Sequence, residues 1–524
     1  MTRAGVGALV ALALTAGLGL RLARLDVRPM HHDEANQAVK FGALLERGEY
    51  RYDSYDHHGP TLYYFSLPFA WLRGQTTLAS LDERTIRGVT AAFGAATILL
   101  LLLVSSGIGP TAVATSAILL ALSPAMVFYS RMYIQESLFT CFTLAFVIAV
   151  GRLATVESAS TPLSWSILAG VAAGLAVASK ETSAIVLPSV LASATMAWWS
   201  LGPERPALAG AQWRTAGLVG LAAAAAVGAL FYSSFLANPS GILDPLRAAG
   251  TYVDRAVDPT AHVQPWHYYL GLLAWSSSGG LTWTEGVVIA LAAVGALSAL
   301  PRAASKDQRR TFWTRYLTGY VVIATAIFSA IPYKTPWNLL PFYLGAIVLA
   351  GIGFSTLIQV TAPRSLRAVL VAALTIASVH LGWQAWRASV IYSSDPRNPY
   401  VYAHTVPDAV RMATRIRDLA ALHPDGARMQ VSVIAPPHEQ WPLPWYLRTM
   451  PNVGYWSAPG DAAALQSPVI VSATDFTEML DAALGEPYVS EFFGLRPDVL
   501  LALYIDRALW ERFLARVATD TVTP

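Results

Sequence analysis

Hydrophobic positions in this chain do not alternate or recur at one helical face over most of its length; they run on in blocks. Stretches of about 17 to 25 largely apolar residues are long enough to cross a bilayer as helices. They occur at 5–22, 85–104, 110–128, 136–152, 163–179, 182–200, 213–235, 283–300, 313–331, 338–358 and 366–386, predicting about eleven spans. The links at 105–110 and 180–182 are so short that the helices they join are expected to be antiparallel neighbours. Beyond about 390 the pattern changes. RMQVSVIAPP at 428–437 and SPVIVSATD at 467–475 read as buried strands, with helical periodicity at 405–421, 475–484 and 506–517 between and after them. The expectation is an α-helical polytopic membrane domain over 1–389 and a small α/β domain over 390–524. No internal repeat is visible, which weakens a transporter built from two related halves.

Charge orients this arrangement. With the amino terminus inside, the inner loops hold Arg3, Arg152, Arg205, Arg302, Lys306, Arg309, Arg310, Arg364 and Arg367, whereas the short outer links hold only Arg131 and Lys180, with Lys334 near the outer end of the ninth span. The loops 23–84 and 236–282 and the whole tail then face outward, in a plasma or inner membrane. A cleaved signal peptide in place of the first span lacks an A-x-A-like site and would leave the downstream orientation unchanged. Only 13% of the 524 residues are charged and 54% are hydrophobic, which excludes a soluble enzyme. A net charge of +3 scattered among apolar runs gives no nucleic-acid surface. The lone Cys141 excludes an intrachain disulfide and a cysteine-paired zinc site.

Four groups of ionisable residues fall on the outer side. MHHDEANQAVKFG at 30–42 brings His31, His32, Asp33 and Glu34 just after the first span; YDHHGPTLYYFSLPFAWL at 55–72 follows with Asp56, His57 and His58 before an aromatic segment that returns to the membrane interface. SRMYIQESLF carries Arg131 and Glu136, which also read as a simple interfacial ion pair. SKETSA carries Lys180 and Glu181, and IPYKTPWNLLPFY carries Tyr333 and Lys334, a lysine placed to snorkel from a helix end. Singly these are ordinary. Together, carboxylates beside cations at one water boundary suit proton removal from a hydroxyl and neutralisation of a departing lipid phosphate.

These motifs resemble the integral-membrane glycosyltransferases of the GT-C type, the broad group of protein O-mannosyltransferases and the aminoarabinose transferase ArnT. The group's acidic residue after the first helix is matched by Asp33 and Glu34 of HHDEA, its H-x-P-L-like stretch by His57, His58, Gly59, Pro60 and Leu62, and its later basic tip by Lys334, Pro336 and Pro341. The ordered set HHDEA, SRMYIQES, SKETSA, YKTPWNLLP and WPLPWYLR (441–448) is most similar to a subfamily named as flippase-activity-associated, and covers most of the chain. The resemblance implies an inverting hexosyl or pentosyl transfer from a polyprenyl-phosphate-linked sugar to a hydroxyl of a protein, lipid or glycan acceptor on the extracytoplasmic face. Asp33 and Glu34 are its catalytic candidates, and Arg131, Glu136, Lys180, Glu181, Tyr333, Lys334, His57 and His58 its substrate-binding ones. The double histidine departs from the general pattern and leaves open a divalent metal at His31 and His32.

Two rivals stand beside the enzyme. A flippase or flippase-associated factor would bind the same lipid-linked sugar without transferring it, but needs polar groups through the membrane depth, and the middles of these spans are almost free of charge. The other is an envelope scaffold whose tail binds a partner, with WPLPWYL covering the membrane part.

Overall fold

The computed structural model describes residues 3–53, 58–155, 162–202, 211–248, 250, 262–300 and 307–522. Asp56, His57, Arg205, Arg302 and Lys306 lie outside the described residues. Every apolar run is helical. The first is α1 (Arg3–Leu22); the outer loop after it holds α2 (His32–Arg47) and α3 (Thr61–Leu72). There follow α4 (Glu83–Leu100), α5 (Pro110–Leu122), α6 (Pro124–Ser130), α7 (Glu136–Ala154), α8 (Pro162–Val177), α9 (Ser183–Trp199) and α10 (Ala211–Tyr232). Past a short hairpin of β1 (Ser276–Ser278) and β2 (Leu281–Trp283) come α11 (Gly286–Leu297), α12 (Gln308–Ala330), α13 (Leu340–Val360) and α14 (Arg364–Trp386).

Among the described residues, six helices are long and apolar enough to cross a membrane, or seven if the bent pair of α5 and α6 is one span. The remaining runs of the expected eleven fall short because α8, α9 and α11 are shorter apolar helices and α12 opens with the polar sequence QRRTFWTR. The chain is a multi-pass membrane protein by either count.

The bend of 57° between α5 and α6 has a local cause. Pro124 has no N–H to offer the carbonyl four residues back and its ring collides with that turn. The orphaned carbonyl, Leu120 O, is taken by Arg21 Nη2 at 3.2 Å, and its neighbour Ala121 O by Arg21 Nη1 at 3.0 Å. A buried arginine at the end of the first span therefore completes a helix broken a hundred residues later.

Helix packing corrects one expectation. α8 and α9, joined by a short link, pack chiefly on other partners: α8 on α7 and α10, α9 on α12, while α1 inserts between α4 and α5. The link does not act as a plain turn, because its residues Ala178 to Glu181 receive the first outer loop. Gly59 N–H donates to Ser179 O and Thr61 N–H to Ala178 O, both at 3.1 Å, and a Cβ on Gly59 would stand 2.2 Å from Ala178 O. α8 and α10 approach through Gly170 and Gly174, a four-residue small-residue spacing that lets backbones meet.

After α14 the chain builds a five-stranded sheet in the order β4-β3-β5-β7-β6, from β3 (Val431–Ile434), β4 (Val453–Trp456), β5 (Val469–Ala473), β6 (Tyr488–Arg496) and β7 (Val499–Asp506). β3 is parallel to β4 and β5; the β6–β7 hairpin is antiparallel and adds to β5. Helices α15 (Pro407–Ala420), α16 (Thr477–Leu484) and α17 (Arg507–Val522) accompany it. The two strands and three helices expected from the tail are present; β4 and the hairpin were not anticipated. WPLPWYLR fastens this unit to the membrane part: Trp445 is buried and donates from Nε1 to Glu83 Oε1 at 2.8 Å, Met30 N–H donates to Tyr446 OH at 2.7 Å, and Arg448 Nη2 donates to Leu81 O at 2.7 Å.

Candidate active site

The HHDE sequence begins α2 because His31 caps it. Its Nδ1 accepts the Asp33 N–H at 3.1 Å while its own backbone N–H donates to Glu34 Oε2 at 3.1 Å, a reciprocal capping box with both acids in the first turn, where the helix dipole favours them. With Nδ1 accepting, the ring proton sits on Nε2 and is donated to Tyr402 O at 3.1 Å. Both nitrogens of His31 are thus committed, and among the described residues no group of three or more His, Cys, Asp or Glu side chains is gathered to hold a metal ion. The His32 ring lies 6.0 Å from that of Trp441.

A single residue step along the helix, about 100°, separates the fates of the two acids. Glu34 is fully buried. Its Oε1 accepts from Arg87 Nε (2.8 Å), Tyr133 N–H (2.8 Å) and Arg28 Nη2 (3.4 Å), and its Oε2 also accepts from Arg87 Nη2 at 2.8 Å. Burial alone would push this carboxyl up, but the Arg87 and Arg28 guanidiniums outweigh it and hold it well below the usual carboxylate range. Asp33 instead keeps 43% of its side chain exposed, on the side away from this cluster.

Within electrostatic range of Asp33 is a group drawn from three distant segments. His262, from the second outer loop, lies within electrostatic range of Asp33; burial pushes its imidazole down and Asp33 works against that. Its Nδ1 is hydrogen-bonded with Tyr402 OH, and its ring lies 4.9 Å from that of Tyr333. The loop is held by an antiparallel bridge of Val263 with Tyr333 and by Lys334 N–H donating to His262 O at 2.9 Å. Lys334 is buried and its Nζ donates to Gln264 O (3.1 Å) and Ile331 O, leaving the third ammonium N–H; burial lowers its pKa. His262 and Ala403 both adopt left-handed φ, 55° and 49°, which side chains resist. Such strain gathers at functional sites.

The other sequence candidates form a second polar group. Glu136 does not pair with Arg131. It takes Lys180 Nζ, which also donates to Asn338 Oδ1 at 2.8 Å. Glu181 binds His58 Nδ1 at 2.7 Å and Tyr52 OH at 3.1 Å; burial would raise its pKa, but His58 brings it down. Arg131 donates to the carbonyls of Leu20, Arg21, Ala23 and Arg24, closing the end of α1. Sequence reasoning missed Arg28, Arg87, His262 and Tyr402. Arg87 alone carried a signal, a charge inside an apolar run. A cavity of about 510 Å³ lies between the first loop and α15, lined in part by Asp26, Glu83, Arg411 and Phe513, and contains none of the sequence candidates.

Comparison with known proteins places this architecture. Residues 12–233 match the family described as dolichyl-phosphate-mannose-protein mannosyltransferase. No curated protein matches the chain. The solved structure of ArnT from Cupriavidus metallidurans bound to undecaprenyl phosphate is similar with a TM-score of 0.66 and 14% identity, covering 97% of this chain and 99% of that one. The apo oligosaccharyltransferase of Archaeoglobus fulgidus gives a TM-score of 0.62 and 13% identity over 94% of this chain and 74% of that one. The mycobacterial arabinofuranosyltransferase AftD gives 0.50 and 13%, over 97% of this chain and 40% of that one. The chain has the GT-C fold of the integral-membrane glycosyltransferases, and within it residues 12–233 carry the sequence likeness to the protein mannosyltransferases.

Proposed function

We propose that this protein transfers a sugar from a polyprenyl-phosphate-linked donor to an acceptor hydroxyl at the extracytoplasmic surface, with Asp33 as general base. The observation that carries this is the division of labour in α2: Glu34 is consumed by Arg28 and Arg87, while the adjacent Asp33 is half-exposed before His262 and within range of it. In the reaction Asp33 takes the hydroxyl proton as the acceptor oxygen attacks the anomeric carbon from the face opposite the phosphate. The bond from that carbon to the phosphate oxygen breaks, and its electron pair leaves with the lipid phosphate. Lys334, already desolvated and holding one N–H beyond its two carbonyls, neutralises the leaving group. Glu34 is a positioning residue that fixes the first turn of α2 and so the direction of Asp33.

Purified protein incubated with radiolabelled polyprenyl-phosphate sugars should move label off the lipid, and Asp33→Asn should lower single-turnover transfer by about 10² to 10⁴, the worth of general-base catalysis, with lipid binding retained. Full activity of Asp33→Asn overturns the assignment.

A further inference from the structure

The tail reads in the sequence as a cover for the membrane part, yet β6 is tied to the segment that leaves Tyr402, and one of its cations lies within electrostatic range of Asp33. β6 and β7 pair regularly until the register shifts between Gly494 and Arg496. Such an irregularity re-aims the side chain that follows it. The strand is held there from the segment that leaves Tyr402: Val406 N–H donates to Leu495 O at 3.1 Å, and Gly494 N–H to Asp408 Oδ2 at 2.7 Å. Arg496 Nη2 donates to His438 O at 3.0 Å, one acceptor for five N–H groups. Glu439 and Asp33 lie within electrostatic range of its guanidinium, and among the described residues neither forms an ion pair with it. The half-buried cation is pushed down by burial, an effect the two acids oppose.

We propose that Arg496 is an oxyanion ligand: it holds a phosphate or carboxylate group of a substrate on the aqueous side of Asp33, so that the soluble domain contributes a binding group to the membrane-embedded site. The placement of a substrate beside Asp33 rests on the proposed function; the oxyanion site itself does not. A guanidinium presents a planar fork matched to such groups, and a partly desolvated fork with most donors unused binds them more strongly than one in water. The oxyanion has two sources, the phosphate of the lipid donor and an acidic group on the acceptor, which share this chemistry.

Binding of inorganic phosphate, and separately of decaprenyl phosphate in detergent micelles, is measured by calorimetry on the full-length protein and on Arg496→Gln, Arg496→Lys and Asp33→Asn. Loss of one charge-assisted fork should weaken binding about tenfold or more in Arg496→Gln. Arg496→Lys, which keeps the charge without the fork, should fall between and serves as the readout if the Gln variant does not fold. Asp33→Asn should tighten phosphate binding, because it removes a like charge. Weakening with the lipid alone assigns the site to the donor headgroup; weakening with both probes assigns it to a free acidic group. Unchanged affinity for both probes in a folded Arg496→Gln protein, or in Arg496→Lys where that is the folded variant, overturns the proposal. A fully active Asp33→Asn enzyme beside a lost phosphate site would sink the base and leave the oxyanion ligand standing.

Discussion

Two adjacent carboxylates separate stability from chemistry. Glu34 pairs with both Arg28 and Arg87 in a buried cluster. Glu34→Gln leaves those guanidiniums uncompensated, and a buried pair broken from one side costs about 3–5 kcal/mol. Thermal unfolding in detergent should show that loss, and Asp33→Asn should show almost none. The pH dependence has a definite sign. The folded carboxyl is held below its ordinary range, so its contribution is fully present above the unfolded value of about 4.3 and disappears as pH falls through the folded value. The stability gap between wild type and Glu34→Gln should therefore be constant near neutrality and narrow below about pH 4.3; a gap that widens in acid would contradict the cluster. The sequence displayed both acids but not their difference. Arg87 stands 53 residues from Glu34 and the Tyr133 N–H 99 residues away, and no local pattern links partners at such distances.

At the scale of elements, legibility followed the type of signal. Apolar runs are local, so every span appeared as a helix, and the buried strands β3 and β5 announced themselves by continuous Val and Ile. The expected span at 110–128 ran straight through Ser123-Pro124, where the helix breaks, and its completion by Arg21 has no local signal. Glu285 is the same case. It begins α11 as a solitary carboxylate before an apolar run, and it is buried with Ser123 Oγ and Tyr343 OH at 2.6 Å and with Ala125 N–H and Tyr400 OH at 2.9 Å. One side chain thereby ties the start of α11 to the bend, to α13 and to the segment leading to Tyr402. Glu285→Ala orphans four donors, each costing about 1–3 kcal/mol when left buried. The expected result is loss of folded protein or a much lower melting temperature. A variant as stable as wild type would mean that water or rearrangement satisfies all four.

For the whole molecule the first question is which side the tail occupies. The basic inner loops predict that it lies outside, and the native Cys141 is buried and leaves a low labelling background. Asn452→Cys should react with a membrane-impermeant maleimide in intact cells and Gln308→Cys only after permeabilisation; the reverse result inverts the topology. The second question is whether the tail is a separable module, and its contacts answer no. Trp445 is buried on Glu83, and truncating a buried tryptophan costs about 3–5 kcal/mol. Trp445→Ala should reduce both stability and transfer, while a variant that loses neither would detach the sheet from the site.

The spans of sequence that meet at Asp33 also set a timetable for synthesis. Met30 binds Tyr446 across 416 residues, Thr405 binds Met30 O across 375, and His31 binds Tyr402 across 371. A ribosome delivers the first outer loop early and its partners only after α14, the last long apolar helix, has been made. Throughout that interval the inserted chain can hold the Arg28, Glu34 and Arg87 cluster but cannot finish the pocket around it. On the proposed function, nascent chains and chains truncated before Tyr446 are expected to bind the first outer loop too loosely to transfer a sugar, and a truncation series assayed for transfer would show it.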